Sequence, residues 1–423
     1  MNGTSATPHP ARGAVLASLA VFGALALPLI LSGYDYGRAW SDQINYHVPA
    51  ILHFAHGGGF RDYPSATLPG FHLLFAAITV LFPGNETALK LGSFLISALL
   101  VGILANFVAR RAGSVLVSIC LLLPLLVCLY FLPQGVWVVP DNLGWLTVLG
   151  VLLLAMRYRD SAGWYVGMSA LLGAAVFIRQ SNLWLCAPAV LSALAGSPRE
   201  AAHDRRLLWT TLMLVPAVAT LAGFVMLWQA LTPPGFVAQH EGVNLAAWPF
   251  LVCIIGAYGV FYLPLLVEPI RAQWARTSCR RATLIGAVLG FVLAVVQPTD
   301  PDAAAGRVSG LWNLGRFGPD IHHRPISIAL LATLGGMSVA IWYSLLPRRL
   351  GLGLLCTLLA FAMAQTVNHM AYERYYTPFV LMLLGMMSAQ ILSRGIAIRR
   401  WSVAPLVMLT VINALVLLRG LRG

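Results

Sequence analysis

Charge is what this chain has least of. Only 10% of its 423 residues are Asp, Glu, Lys or Arg, against about 25% in an ordinary soluble domain. Acid is scarcer still: 14 carboxylates stand against 27 lysines and arginines, for a formal net charge of +13. No polar stretch is long enough for a separate soluble domain, so residues 1–423 read as one integral domain. The six cysteines, Cys120, Cys128, Cys186, Cys253, Cys279 and Cys356, include no CxxC pair. That indicates neither a zinc site nor a disulfide framework. A P-loop, a dinucleotide fingerprint and an internal repeat are also missing.

What the chain has is apolar length: 59% of its residues are hydrophobic. A spanning helix satisfies its own backbone groups in lipid, whereas an open strand does not. Each span needs about 20 apolar residues. The expected fold is therefore all-α, a polytopic membrane bundle of about 13 transmembrane helices. Spans fall near 13–32, 88–109, 114–131, 142–156, 162–178, 183–195, 207–231, 249–267, 282–297, 326–346, 351–367, 376–392 and 402–418. Arg12 precedes the first apolar run. That run exceeds the roughly 7–15 residues of a signal-peptide core, so it reads as a retained anchor.

In a soluble protein the positive balance would suggest nucleic acid, but here orientation accounts for it and no nucleic-acid partner is expected. Alternate loops, from Arg12, Arg110 and Arg111 through Arg271, Arg276, Arg280 and Arg281 to Arg394, Arg399 and Arg400, hold 17 of the 27 basic residues. The positive-inside rule makes those loops cytoplasmic. Of the acids, Asp160, Glu200, Asp204 and Glu268 lie on that side, and the other 10 of 14 lie outside, with eight of the ten histidines. The rule concerns Lys and Arg only, so it leaves the outer Asp and His unexplained. A polar active face explains them. The assignment requires that Pro69–Pro83, only 15 residues long with His72 inside it, does not cross. It suits an interfacial or re-entrant helix within a first outer loop spanning 33–87.

That loop carries Asp42 and Gln43, then His47, then Asp62. An ionised carboxylate at the mouth of a bundle can take a proton from an attacking sugar hydroxyl. Equally, Ser41 or Asp42 can cap an interfacial helix Gln43–Phe54. Asp141 opens a later span, where an acid suits the helix dipole as well as a site. Arg179-Gln180-Ser181-Asn182 interrupts the apolar stretch from Trp164 to Leu194. An arginine near membrane depth faces a cavity and a partner. Its fork matches phosphate oxygens, but an ion pair with Asp141 is the structural alternative. Glu373-Arg374-Tyr375-Tyr376 marks another outer boundary, readable as a phosphate-facing arginine or as interfacial snorkelling. His240-Glu241 reads first as solvated loop. His322-His323 lacks a spaced third ligand for a metal.

Several of these residues together resemble the first luminal loop of the dolichyl-phosphate-glucose-dependent alpha-1,2-glucosyltransferases of N-glycan precursor assembly. Asp42-Gln43 stands where that family has an acidic pair. Tyr46-His47-Val48-Pro49 is similar to its aromatic-His-x-Pro step, Asp62 to its Trp-Asp-Pro, and Thr67-Leu68-Pro69-Gly70 to its Thr-Leu-Pro-Gly. Phe177-Ile178-Arg179-Gln180-Ser181-Asn182-Leu183-Trp184 resembles its Phe-Arg-Gln-Thr-Asn-Ile-x-Trp step, the most specific match. Asp141, His240-Glu241 with Pro249, and Glu373-Arg374-Tyr375 with Pro378 extend the likeness over Trp40 to Pro378. The chain departs from the pattern at Gln43, which replaces the second acid. It departs again in the adjacency of Glu373 and Arg374 and in the loop from Arg307 to Arg324.

The resemblance implies a GT-C type membrane glycosyltransferase in a bacterial relative of that family, in the inner membrane with its active face periplasmic. It implies transfer of a hexose, glucose by the likeness, from a polyprenyl-phosphate-linked donor to a glycan or lipid-linked acceptor, by inverting single displacement. Asp42 would be the base, with Asp141 orienting acceptor or donor. Arg179, Gln180 and Arg374 would hold the donor phosphate. Gln43, His47, Asp62, Asn182, His240, Glu241 and Glu373 would contact substrate. No cofactor is implied beyond the lipid-phosphate sugar. No metal is required, although Asp42 with Asp141 can in principle hold one. The rival readings are a polytopic transporter or lipid flippase and a structural subunit of an envelope complex.

Overall fold

A computed structural model describes residues 10–422 apart from 159, 196–202, 241, 309 and 397. Glu241, Arg159, Arg199 and Glu200 therefore lie outside the described residues. Among those described there is no β-strand longer than an isolated bridge. The helices are α1 (Pro10–Leu31), α2 (Arg38–Asp42), α3 (Val48–Ala55), α4 (Gly70–Leu81), α5 (Glu86–Ala112), α6 (Val115–Leu126), α7 (Asp141–Met156), α8 (Ala162–Ile178), α9 (Cys186–Leu194), α10 (His203–Trp228), α11 (Val237–His240), α12 (Ala247–Tyr262), α13 (Val267–Trp274), α14 (Thr277–Val296), α15 (Ile326–Leu345), α16 (Arg348–Thr366), α17 (Thr377–Leu392) and α18 (Ala404–Arg422). The protein is an all-α, multi-pass integral membrane protein. Nine described helices are long and apolar enough to cross a membrane.

A helix stands at each of the thirteen expected spans, but four fall short of a full crossing. The expected span 114–131 ends at Leu126 as α6. Beyond it, residues 131–140 run as buried irregular backbone. Lipid forbids such backbone, but a protein-lined interior tolerates it. It packs as the core residues Phe131, Leu132, Val136 and Trp137, with Phe22 of α1 edging Phe131 at 6.0 Å. The expected span 183–195 is a 3₁₀ segment, Gln180–Leu185, followed by the nine-residue α9. At about 1.5 Å per residue an α-helix that short covers less than half a bilayer core. α7 and α8, with 16 and 17 residues, are also short of the usual length.

Burial sorts the helices. The window at α17 is 94% buried, whereas those at α1, α10, α14 and α18 are only 17–28% buried. α17 is thus the central post, and the outer helices turn leucine and valine toward lipid. Around the post, Phe361 stacks on Phe379 at 4.3 Å, and Phe250 on Trp312 at 4.3 Å. α14 and α15 approach until a Cβ on Gly286 would stand 2.3 Å from the Gly336 carbonyl oxygen. This is the small-residue contact that membrane helices use in place of hydrophobic drive.

The polar loop after α1 folds as one continuous helical rod. α2 leads through a single π turn, Gln43–His47, into α3. Asp42 makes no capping bond, and Gly37 precedes the rod instead. The capping alternative for Asp42 is thereby overturned: the helix begins at Arg38, five residues before the expected start at Gln43. α4, 12 residues long, is shorter than a span.

Candidate active site

Several helix ends and connecting turns at one end of the bundle converge on one cavity of about 660 Å³. Its polar wall is assembled from elements far apart in the chain. Asp42 comes from the α2 rod, Asp141 from the first turn of α7, Arg179 from the end of α8 and His240 from α11. Arg374 and Tyr375 come from the 3₁₀ turn Glu373–Tyr375 that precedes α17. The π turn re-phases the rod, so Asp42, Tyr46 and His47 all reach the cavity while Gln43 turns into the protein. Single π turns of this kind recur at functional sites.

Two Asp–Arg pairs dominate. The Arg179 guanidinium donates through Nη1 to Asp141 Oδ1 at 3.1 Å. Arg374 Nη1 donates to Asp42 Oδ2, and its Nη2 donates to the Tyr375 hydroxyl at 3.1 Å. Both guanidinia lie on the Tyr375 ring, at 4.8 Å for Arg179 and 5.0 Å for Arg374. A guanidinium stacked on an aromatic face keeps its in-plane N–H groups available for oxygen ligands. The site thus offers carboxylates that can accept a proton and guanidinia that can hold an anion, side by side.

His47 sits beside them and stacks on His72, with Nδ1 and Nε2 3.1 Å apart. Burial pushes the His47 imidazolium down to about 4. Asp42 and Asp141 pull it up, and Arg374 and Arg179 add to the fall. His72 is lowered too, by burial and then by His47. Burial, helped by the two arginines, also brings His240 down to about 4. Both cavity histidines are therefore neutral near pH 7 and act as hydrogen-bonding groups rather than charges.

The other wall is apolar. Leu183, Trp184, Ala187, Leu221, Phe361, Met363, Ala364 and Val367 also line the cavity, with the Trp184 ring edge-on to Phe361 at 5.4 Å. Met363 and Val367 are 62% and 52% exposed on the bundle's flank. The lining thus combines the charged groups with apolar side chains, two of which are exposed at the protein surface.

Not every expected contact residue reaches this cavity. Asp62 is exposed and lies away from it. Gln43 is buried, donates to Glu86 Oε1 at 2.7 Å and accepts from the Val138 N–H at 2.9 Å. It anchors the rod to α5 and to the buried stretch before α7. Glu373 is buried behind the wall. It accepts from the Leu311 N–H at 2.7 Å, from the Thr377 hydroxyl at 3.1 Å and from the Tyr258 hydroxyl at 3.3 Å, so it fixes the turn that presents Arg374. Gln180 lines the cavity, and its amide donates to Ala66 O and accepts from the Leu68 N–H. These bonds tie the Thr67-Leu68-Pro69-Gly70 loop to the cavity wall. Gly70 fits there because a Cβ would meet the Phe177 carbonyl at 2.6 Å. Asn182 lines the cavity and donates to Ala175 O at the end of α8.

The sequence reading missed Arg38, Tyr372, Trp145, Gln365 and Asn368, all of which line the cavity. Arg38 carried one usable signal: it precedes Asp42 by four residues, which places both on one helix face.

No family model matches the chain, and no curated protein matches it. Among solved structures it is similar to the crystal structure of ArnT from Cupriavidus metallidurans in the apo state. The two share 15% identity over 89% of this chain and 78% of that one, with a TM-score of 0.39. A likeness at that level assigns no activity. The fold and cavity by themselves define a multi-pass helical membrane protein with paired carboxylates and arginines at one end of the bundle.

Proposed function

We propose that this protein is a GT-C type membrane glycosyltransferase that moves a hexose, glucose by its resemblance, from a polyprenyl-phosphate-linked donor to a glycan acceptor on the non-cytoplasmic face. The observation that carries the reading is the mixed lining of the cavity. Two guanidinia suited to a phosphate lie beside a carboxylate suited to a base, and an apolar side suited to a polyprenyl chain adjoins them. The acceptor hydroxyl gives its proton to Asp42 as its oxygen attacks the anomeric carbon. The bond from that carbon to the lipid phosphate oxygen breaks, and its electron pair leaves with the phosphate. Arg374 and Arg179 meet the charge that grows there, and such preorganised donors are worth several kcal/mol. Attack opposite the leaving phosphate inverts the anomeric centre. Asp141 orients Arg179, and neutral His47 and His240 hydrogen-bond sugar hydroxyls. In this reading the active face is the periplasmic side of a bacterial inner membrane, where the acidic and histidine-rich loops collect.

The test is Asp42→Asn in membranes supplied with radiolabelled polyprenyl-phosphate-glucose. Loss of labelled product is expected, and undiminished transfer sinks the assignment of the base. Uptake of label into vesicles without any glycosidic product would point to a transporter instead.

A further inference from the structure

Three guanidinia face the cavity and only two carboxylates answer them. Asp141 holds Arg179 and Asp42 holds Arg374. Arg38 also lines the cavity, and among the described residues no carboxylate pairs with it. The three are strung along two buried tyrosines. Tyr375 lies under Arg179 and Arg374, and Tyr372 lies under Arg374 at 5.7 Å and under Arg38 at 4.6 Å. Arg38 is the exposed, outermost member of this series. Its stacking on Tyr372 orients the guanidinium without spending its N–H donors. The five charged groups leave one positive charge uncompensated, and a lipid phosphodiester brings one negative charge.

The resting pair between Asp42 and Arg374 poses a problem that this surplus resolves. In the resting pair the Arg374 guanidinium donates to Asp42 Oδ2 and so occupies one of the carboxylate oxygens that an acceptor hydroxyl would use. We propose that Arg38 is a phosphate-binding residue at the cavity mouth, and that the lipid phosphate it captures takes Arg374 from Asp42. Phosphate offers Arg374 the same two-pronged acceptor that a carboxylate does. Arg38 supplies the additional attraction that decides the exchange. Once exchanged, Asp42 is released to act as base one helical turn from Arg38 on the same rod. The donor therefore binds before the acceptor can be activated, and Asp42 is an internal competitor of the donor. This rests on the lipid-phosphate reading of the cavity.

The test uses the purified full-length protein in nanodiscs, with farnesyl phosphate as probe and farnesol as its uncharged control. Trp145 and Trp184, both on the cavity wall, report binding by fluorescence. Wild type should prefer farnesyl phosphate. Arg38→Gln should weaken phosphate binding about 5- to 20-fold, the scale of one charge-assisted hydrogen bond, while farnesol affinity stays unchanged and so reports an intact cavity. Arg38→Lys should retain most of the preference. Asp42→Asn should bind farnesyl phosphate several-fold more tightly than wild type, a gain that a merely structural role for Asp42 does not produce. Phosphate affinity unchanged in Arg38→Gln, or no tighter in Asp42→Asn, overturns the inference while leaving the lipid-phosphate reading in place. Equal affinity of wild type for farnesyl phosphate and farnesol overturns both.

Discussion

Asp141–Arg179 and Asp42–Arg374 join the same two groups at different depths. The Asp141 and Arg179 side chains are 6% and 16% exposed, those of Asp42 and Arg374 17% and 19%. The deeper pair ties the start of α7 to the end of α8, two helices consecutive in the chain. The shallower pair ties the surface rod to the turn before α17, 332 residues apart. The first pair has the more buried carboxylate, so stranding that charge costs more. The second lies beside Arg38 at the mouth, where another anion can take the place of Asp42. In the proposed reaction the first pair stays closed and holds Arg179 in place for the phosphate, whereas the second parts so that Asp42 can act.

Asp42→Asn separates the two pairs most directly. Loss of a general base costs about 10²–10⁴-fold in rate, so initial-rate assays should show transfer nearly abolished with thermal unfolding unchanged. Should Asp141→Asn lower the rate equally while leaving the fold intact, the division of labour fails. Arg179→Ala is the complementary cut. It strands the Asp141 carboxylate and should cost about 3–5 kcal/mol of stability, read as an earlier unfolding transition in detergent. The double variant Arg179→Ala/Asp141→Asn should recover most of that loss. Arg374→Ala should cost clearly less stability than Arg179→Ala.

Gln43→Glu installs the second acid that the resembling family carries. It removes the donor to Glu86 and sets two carboxylates against each other, so about 1–3 kcal/mol of destabilisation is expected. Donor affinity should be unaffected. Acid pH sharpens the picture further. His47 and His72 hold fewer protons folded than unfolded below the ordinary imidazole range, so stability should fall as pH drops from about 6.5 toward 4. His47→Gln should flatten that part of a pH–unfolding profile. Asp62→Asn, exposed and outside the cavity, should leave the transfer rate within about 2-fold of wild type, as isolated surface changes do.

Much of this was legible in the residues. Apolar run lengths foretold a helix at each expected span. Burial classes cannot be read from run length, however, so the stretch from Phe131 to Pro140, which packs against protein, passed for part of a crossing. Asp42, Asp141, Arg179 and Arg374 stood out because charge is expensive beside lipid. Gln43 looked equivalent to them, since sequence position does not reveal which face of a rod meets a cavity; so did Asp62, which lies in the loop beyond the rod. The π turn makes that choice here, and no local pattern announces one. Gln180 and Glu373 were recognised as polar boundary residues. Their partners are backbone groups of Ala66 and Leu68 and the N–H of Leu311, contacts that only long-range packing creates.

By itself the sequence determined the environment and the chemical inventory. Its apolar runs required helices in a membrane, because only they satisfy backbone polar groups in lipid. Its few charges could persist only where water or partners met them. Tertiary structure decided the partnerships. It folded the first loop back over the bundle, set Arg374 on Asp42 and Arg179 on Asp141, and left Arg38 with an aromatic face instead of a carboxylate. Those choices depend on desolvation and on distances between elements far apart in the chain, quantities that emerge only when the helices pack.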